Sequence, residues 1–171
     1  MKAIIYITII LLFNSCTRGS RDIMPQPSTT YRAILMDRSE LEKSISFQAS
    51  RTLKNTGKIY VKDNYLFIVE NYHGVHIVNN KNPASPLAEG FITVPGCIDI
   101  AIKDDVMYVD NATDLVAINM SSLPAINVTK RIKSIFPELL PPDSQTLPTN
   151  FKKDNRLENT VIVEWIKTQS K

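Results

Sequence analysis

Residues 59–79 read IYVKDNYLFIVENYHGVHIVN and residues 100–119 read IAIKDDVMYVDNATDLVAIN, and the second stretch lies over the first. Lys62-Asp63-Asn64 falls on Lys103-Asp104-Asp105 at an offset of 41, and after one deletion Asn79 falls on Asn119 at an offset of 40. In the first copy the apolar runs are Ile59 to Val61, Tyr65 to Val69 and Val75 to Val78; in the second they are Ile98 to Ile102, Val106 to Val109 and Leu115 to Ile118. Short β-branched and aromatic runs separated by Asp, Asn, Gly or Lys read as strands joined by tight turns. A meander of three or four strands repeating at about 40 residues is the pattern of a propeller blade. The expected fold class is all-β: two antiparallel β-meander repeats over 57–135, making an incomplete propeller, with a short N-terminal helix.

Outward from the repeats, 31–56 reads as an N-terminal extension. Ser39-Glu40-Leu41-Glu42 has the form of a capping box and Leu41 and Ile45 share a face, which predicts a helix over about 39–46. The segment 136–171 carries Pro137, Pro141, Pro142 and Pro148, then the run Thr160 to Ile166. The prolines exclude a helix or central strand. The last run reads as one strand that pairs with an earlier blade or opens a new one, with Val161, Val163 and Trp165 on one face.

Residues 1–15 start with Lys2 and an apolar run from Ala3 to Phe13. That run makes a helix of roughly 16 Å, short of a bilayer core of about 30 Å, and reads as an export signal. Leu12-Phe13-Asn14-Ser15-Cys16 resembles a relaxed lipobox, so Cys16 is the expected lipidation site. Two or more acyl chains, such as palmitate, give stable anchoring. Residues 16–30 are polar with two prolines and read as a tether. Cys97 is then the one unmodified thiol, expected as a small buried hydrophobe with no disulfide.

The chain has 20 Lys plus Arg against 17 Asp plus Glu over 171 residues. That balance excludes a nucleic-acid partner recruited by bulk charge. His73 and His76, three apart, fall on opposite strand faces and do not form a metal pair. Asp99, Asp110 and Asp114 stand within apolar runs, where a carboxylate is costly unless it accepts hydrogen bonds. They are the candidate structural or ligand carboxylates, and Asp99→Ala is expected to lower thermal stability. Tyr65 and Phe67 share a face and read as core. No phosphate loop, nucleophile elbow, Cys-x-x-Cys or His-Glu-x-x-His occurs. No cofactor, metal or catalytic residue is assigned, and no enzymatic activity is expected.

Gly57-Lys58-Ile59-Tyr60-Val61, Tyr65-Leu66-Phe67-Ile68, Gly74-Val75-His76-Ile77-Val78, Asn82-Pro83-Ala84-Ser85-Pro86, Pro95-Gly96, Asp99-Ile100-Ala101 and Asp114-Leu115-Val116-Ala117, flanked by Ser39-Glu40-Leu41, Phe136-Pro137 and Val161 to Trp165, resemble the LVIVD-repeat β-propeller lipoproteins of Bacteroidota-type envelopes. The resemblance runs from about residue 31 to 166. It implies a lipid-anchored cell-envelope protein, at the outer membrane, with the periplasmic or surface face left open. Two repeats also make it a short or truncated member, since a propeller closes with about four to eight blades.

The function expected is binding or scaffolding, with an envelope protein or glycan as partner besides the membrane. One alternative is a truncated propeller that self-associates through open sheet edges or completes its sheet with a partner chain. Another is a propeller hydrolase or lyase acting on envelope or dietary polysaccharide.

Overall fold

The two aligned stretches form the same hairpins in the computed structural model, which describes residues 29–168. The expected signal at 1–15, Cys16 and the tether up to residue 28 lie outside the described residues. The strands are β1 (Tyr31–Asp37), β2 (Ser46–Gln48), β3 (Thr56–Lys62), β4 (Tyr65–Glu70), β5 (Gly74–Asn79), β6 (Leu87–Thr93), β7 (Ile100–Lys103), β8 (Val106–Asn111), β9 (Asp114–Ser122), β10 (Ala125–Ile132) and β11 (Thr160–Lys167), with one α-helix, α1 (Arg38–Lys43). They form three antiparallel sheets, ordered β2-β6-β5-β4-β3, β10-β9-β8-β7 and β1-β11. The fold is all-β, with two blade-like meanders and, among the described residues, no closed barrel.

The repeat is carried by turn chemistry. Asp63 and Asp104 take the same left-handed conformation, φ 53° and 52°, as do Tyr72 and Ala112 at the next hairpin. Asp tolerates that region better than most residues with a Cβ. Asn80 N donates to Asn64 O at 2.7 Å, and Met120 N donates to Asp105 O at 2.8 Å. The aligned Asn79 and Asn119 each accept from the amide two residues on, Lys81 N at 3.0 Å and Ser121 N at 2.9 Å, the same Asx-type bond at the end of β5 and inside β9. The two copies also gain a strand each that lacked a clear apolar run, β6 and β10. Blade 1 further acquires β2 at its β6 edge.

The blades pack face to face. Phe67, Val69, Val75 and Ile77 of blade 1 meet Ile100, Ile102, Met107, Val109, Val116 and Ile118 of blade 2, and Tyr65 packs at the margin. Cys97, fully buried, belongs to this core.

The terminal segments depart from expectation. The last strand pairs with β1, so the two ends of the described chain make a third sheet, with Tyr31 opposite Lys167. That sheet lies across the β4–β5 and β8–β9 turns. Val161, Val163, Ile34 and Met36 pack with Leu41 and Ala112, while Ile162, Trp165 and Leu35 pack with Tyr72, Leu139 and Phe151. The alternation expected for 160–166 fails at a β-bulge: Ile34 faces Glu164 but Leu35 faces Ile162. The extra residue rotates the strand and puts Trp165 on the face opposite Val161 and Val163. Trp165 Nε1 donates to Leu139 O at 3.0 Å, and its ring meets Phe151 edge-on at 5.0 Å.

The helix starts at Arg38 and ends at Lys43. Its cap is Asp37, whose carboxylate accepts from Ser39 N at 2.7 Å. Ser39 is therefore a capped residue, and Glu42 pairs with Arg38 at 3.1 Å. Thr29 and Thr30, the end of the expected tether, are held by the Asp143 carboxylate through bonds of 2.6 to 2.9 Å.

The connector between blades turns at Gly96, φ 77°, whose amide donates to Tyr72 O at 2.8 Å. A Cβ there would stand 2.7 Å from the Ala112 Cα. Gly96→Ala is expected to cost about 1–3 kcal/mol through left-handed strain and this clash. An unchanged thermal midpoint would contradict the packing of that turn.

Candidate binding site

Asp114 opens β9 with no exposed surface. It gathers three elements. Arg38 Nη2 of α1 donates to its Oδ2 at 2.5 Å, Arg131 Nη1 of β10 donates to the same oxygen at 2.8 Å, and Ser134 N donates to Oδ1 at 3.0 Å. Arg131 also reaches Asn111 Oδ1 at 2.7 Å, and Asn111 Nδ2 donates to Pro95 O at 2.7 Å. Burial alone would push the Asp114 carboxyl up. The bonds from Arg38, the Ser134 amide and Arg131 outweigh it and hold the group below the usual carboxylate range. A buried anion with this many donors ties the helix, blade 2 and the connector together.

The three aspartates do not converge. Asp110, at the end of β8, accepts from Ile98 N at 3.0 Å and Asp99 N at 2.8 Å. Burial raises its carboxyl above the ordinary value, partly offset by those amide bonds. The same amides explain why β7 begins at Ile100 and not at Ile98: they are turned toward a side chain instead of a neighbouring strand. Asp99 is exposed just before β7, its carboxylate paired with Lys58 and accepting from Ile100 N at 2.8 Å. Cys97 lies beneath this corner, and burial together with the Asp110 carboxylate pushes its thiol well above the ordinary value, which leaves it a poor nucleophile.

Asp110 forms one wall of an apolar cleft of about 450 Å³ on the outward face of blade 2. Tyr108 and Leu115 line it from the sheet, Ile98 lines it from the connector just before β7, and Phe136, Leu139 and Leu140 roof it from the proline-rich segment. Ile98, Tyr108, Phe136 and Leu140 stay exposed.

A second polar group occupies the outward face of blade 1. Glu70, buried, accepts from Arg51 Nη2 at 2.8 Å and contacts His76 Nε2 at 2.6 Å. The Arg51 guanidinium stacks on Phe91 at 3.8 Å, and Phe91 meets the His76 ring edge-on at 4.7 Å. Glu70 and Arg51 were not singled out from the sequence. The signal was there, since Glu70 is an acid closing an apolar strand just as Asp110 is. His73 sits in the β4–β5 turn, 3.6 Å from Glu164 of β11, so the two histidines serve separate neighbours. Among the described residues no group of three or more His, Cys, Asp or Glu is placed to hold a metal ion.

Asp114→Asn is expected to destabilise the fold at pH 7 by about 3–5 kcal/mol, because Arg38 and Arg131 keep their burial and lose their anion. A carboxylate held low in the folded state contributes stability that is present above its unfolded value of about 3.9 and is lost as pH falls through its folded value. The penalty of the variant should therefore shrink below about pH 4, which urea melts at pH 7 and pH 3 measure. A penalty independent of pH would contradict the ionic role. Asp99→Ala, at an exposed pair, is expected to cost less than about 1 kcal/mol, a smaller effect than its place in an apolar run implied. A large fall in its melting temperature would show that the site is more tightly coupled than its exposure indicates.

No protein-family model, curated protein or solved structure matches this chain.

Proposed function

We propose that the chain is a non-catalytic cell-envelope lipoprotein of the LVIVD-repeat type, anchored through acyl chains on Cys16, whose blades form a binding module. The observation that carries the reading is the apolar cleft on blade 2. It concentrates exposed Ile98, Tyr108, Phe136 and Leu140 in one place, and a contiguous exposed apolar surface is what a binding site needs. The buried carboxylates of Asp114 and Glu70 and the partly buried one of Glu138, by contrast, are spent internally: Asp114 on Arg38 and Arg131, Glu70 on Arg51 and His76, and Glu138 on Arg156 at 2.6 Å. Such pairs hold elements together and leave little to do chemistry on a substrate.

The end of the expected tether is bonded beside the roof of the cleft. Asp143, which holds Thr29 and Thr30, follows Leu140 by three residues. Thirteen residues from Cys16 to Thr29 span at most about 45 Å. A lipid on Cys16 therefore keeps the cleft close to the membrane and to whatever else is fixed there.

The expected results are loss of palmitate labelling and release from the membrane fraction in Cys16→Ser, with the melting temperature of the domain unchanged. A photo-crosslinker placed at Tyr108 should capture a membrane-fraction partner, and Leu115→Asp should abolish the capture. Retention of Cys16→Ser in the membrane would remove the anchoring half of the proposal; absence of any adduct at Tyr108 would remove the binding half.

A further inference from the structure

The two blades contact one another through different faces. Blade 1 uses the face carrying Tyr60, Phe67 and Ile77, whose aligned positions in blade 2, Ala101, Tyr108 and Ala117, point the other way, toward the cleft. Blade 2 uses the face carrying Ile100, Ile102 and Met107, whose aligned positions in blade 1 are Ile59, Val61 and Leu66. The contact is front to back, as in stacked repeats. Front to back leaves one back face and one front face without a partner. Ile100 and Ile102 are 7% and 8% exposed, whereas Ile59 and Val61, the same positions without a blade behind them, are 61% and 65% exposed.

From this repetition we infer that the free back of blade 1 docks on the free front of blade 2 of a second copy of this chain, reproducing the internal interface between molecules. Three observations fit that occupant. First, the roof over blade 2 matches the connector over blade 1. Val94 N donates to His73 O at 2.9 Å, and Phe136 N donates to Thr113 O at 3.0 Å, His73 and Thr113 being aligned. The segment beginning at Phe136 thus covers the part of blade 2 that the interblade connector covers in blade 1, and leaves Ala101 and Tyr108 for a following blade. Second, the charge pattern repeats with the right sign. Within the chain Lys58 pairs with Asp99, and these two are themselves aligned at an offset of 41. At the next interface the aligned positions are Asp99 and the second copy's Lys58, so opposite charges again stand across from one another, each also paired within its own chain. Third, Tyr60 Oη donates to Ile102 O at 2.9 Å across the internal interface. The corresponding pair between copies is Ala101 with Val61, both small enough to approach.

Such a heterologous contact either closes into a ring or runs on. Closure at about four to eight blades takes about two to four copies. The inference rests on the blade 2 front being a binding surface and not on the lipid anchor.

The test uses the full chain in mild detergent. Val61→Cys and Ala101→Cys chains, mixed and oxidised, should give a cross-linked pair that neither variant gives alone, while buried Cys97 takes no part. The unsubstituted chain should sediment as an oligomer at micromolar concentration. Val61→Glu, at an exposed position, should weaken association by about tenfold or more without moving the circular-dichroism melt. A monomeric unsubstituted chain overturns the inference, and so does a Val61→Cys pair forming without Ala101→Cys, which would mean an isologous contact. A different protein captured at Tyr108 by a monomeric chain overturns it too, while leaving the binding-module reading standing.

Discussion

Each of the two antiparallel meanders carries apolar side chains on both faces, so stacking one blade on the other buries only one face of each. That constraint organises this molecule. One face of each blade is satisfied by the other blade, with Val69, Val75, Ile77, Met107, Val116 and Ile118 excluded from water in a single layer. What covers the remaining two faces differs. The back of blade 1 is covered toward one end by Arg51 lying on Phe91 and reaching Glu70. The front of blade 2 is covered toward one end by the Phe136–Leu140 segment. In both cases the cover is partial, and the uncovered remainder lies along the first strands, β3 and β7.

The third sheet solves a different problem. The β4–β5 and β8–β9 turns put Tyr72 and Ala112 into left-handed backbone, and the connector at Gly96 passes between them. These turns need a lid. β1 and β11 supply it from opposite ends of the described chain, and Asp114 fastens it, because the same carboxylate holds Arg38 at the start of α1 and Arg131 at the end of β10. Arg38 N adds a backbone bond to Asn159 O at 2.8 Å, just ahead of β11. The long segment between β10 and β11 is then fixed at both ends and in the middle, where Arg156 binds Glu138 at 2.6 Å and Leu139 receives the Trp165 indole.

The repeats were legible because a blade advertises itself twice, in period-2 apolar runs and in the Asp and Asn residues of its turns. Strands whose partners supply most of the reason for their conformation were not legible. β6 and β10 contain Glu89, Gly90, Asn127 and Lys130 and lack a continuous apolar run; each forms because an already placed strand offers it a ladder. β1 ends at Asp37 and β11 begins at Thr160, 123 residues further on, and no local signal pairs them. The bulge that turns Trp165 is set by fit against β1, which alternation along one strand cannot reveal. Among the site residues, the expense of an acid in an apolar run pointed to Asp99, Asp110 and Asp114, yet sequence could not say that they serve different neighbours, Asp99 at the strand's edge beside Lys58, Asp110 on the Ile98 and Asp99 amides and Asp114 on two arginines. The same reasoning applied to Glu70, which was not drawn from it.

Direction matters more than area in deciding what such a molecule can join. The lid packs on the hairpin turns at Tyr72 and Ala112 and so closes one end of the two blades. Two of the strand edges are less inviting than the faces: β10 carries Lys130 and Arg131, and β3 carries Lys58 and Lys62, charges that discourage pairing edge to edge. Ile59 and Val61, by contrast, present apolar side chains perpendicular to the sheet, at positions that blade 2 shows to be competent for burial. For a fold closed at its turns, charged along β3 and β10 and apolar on two outward faces, burying more surface is most direct by the geometry that already holds its two blades together.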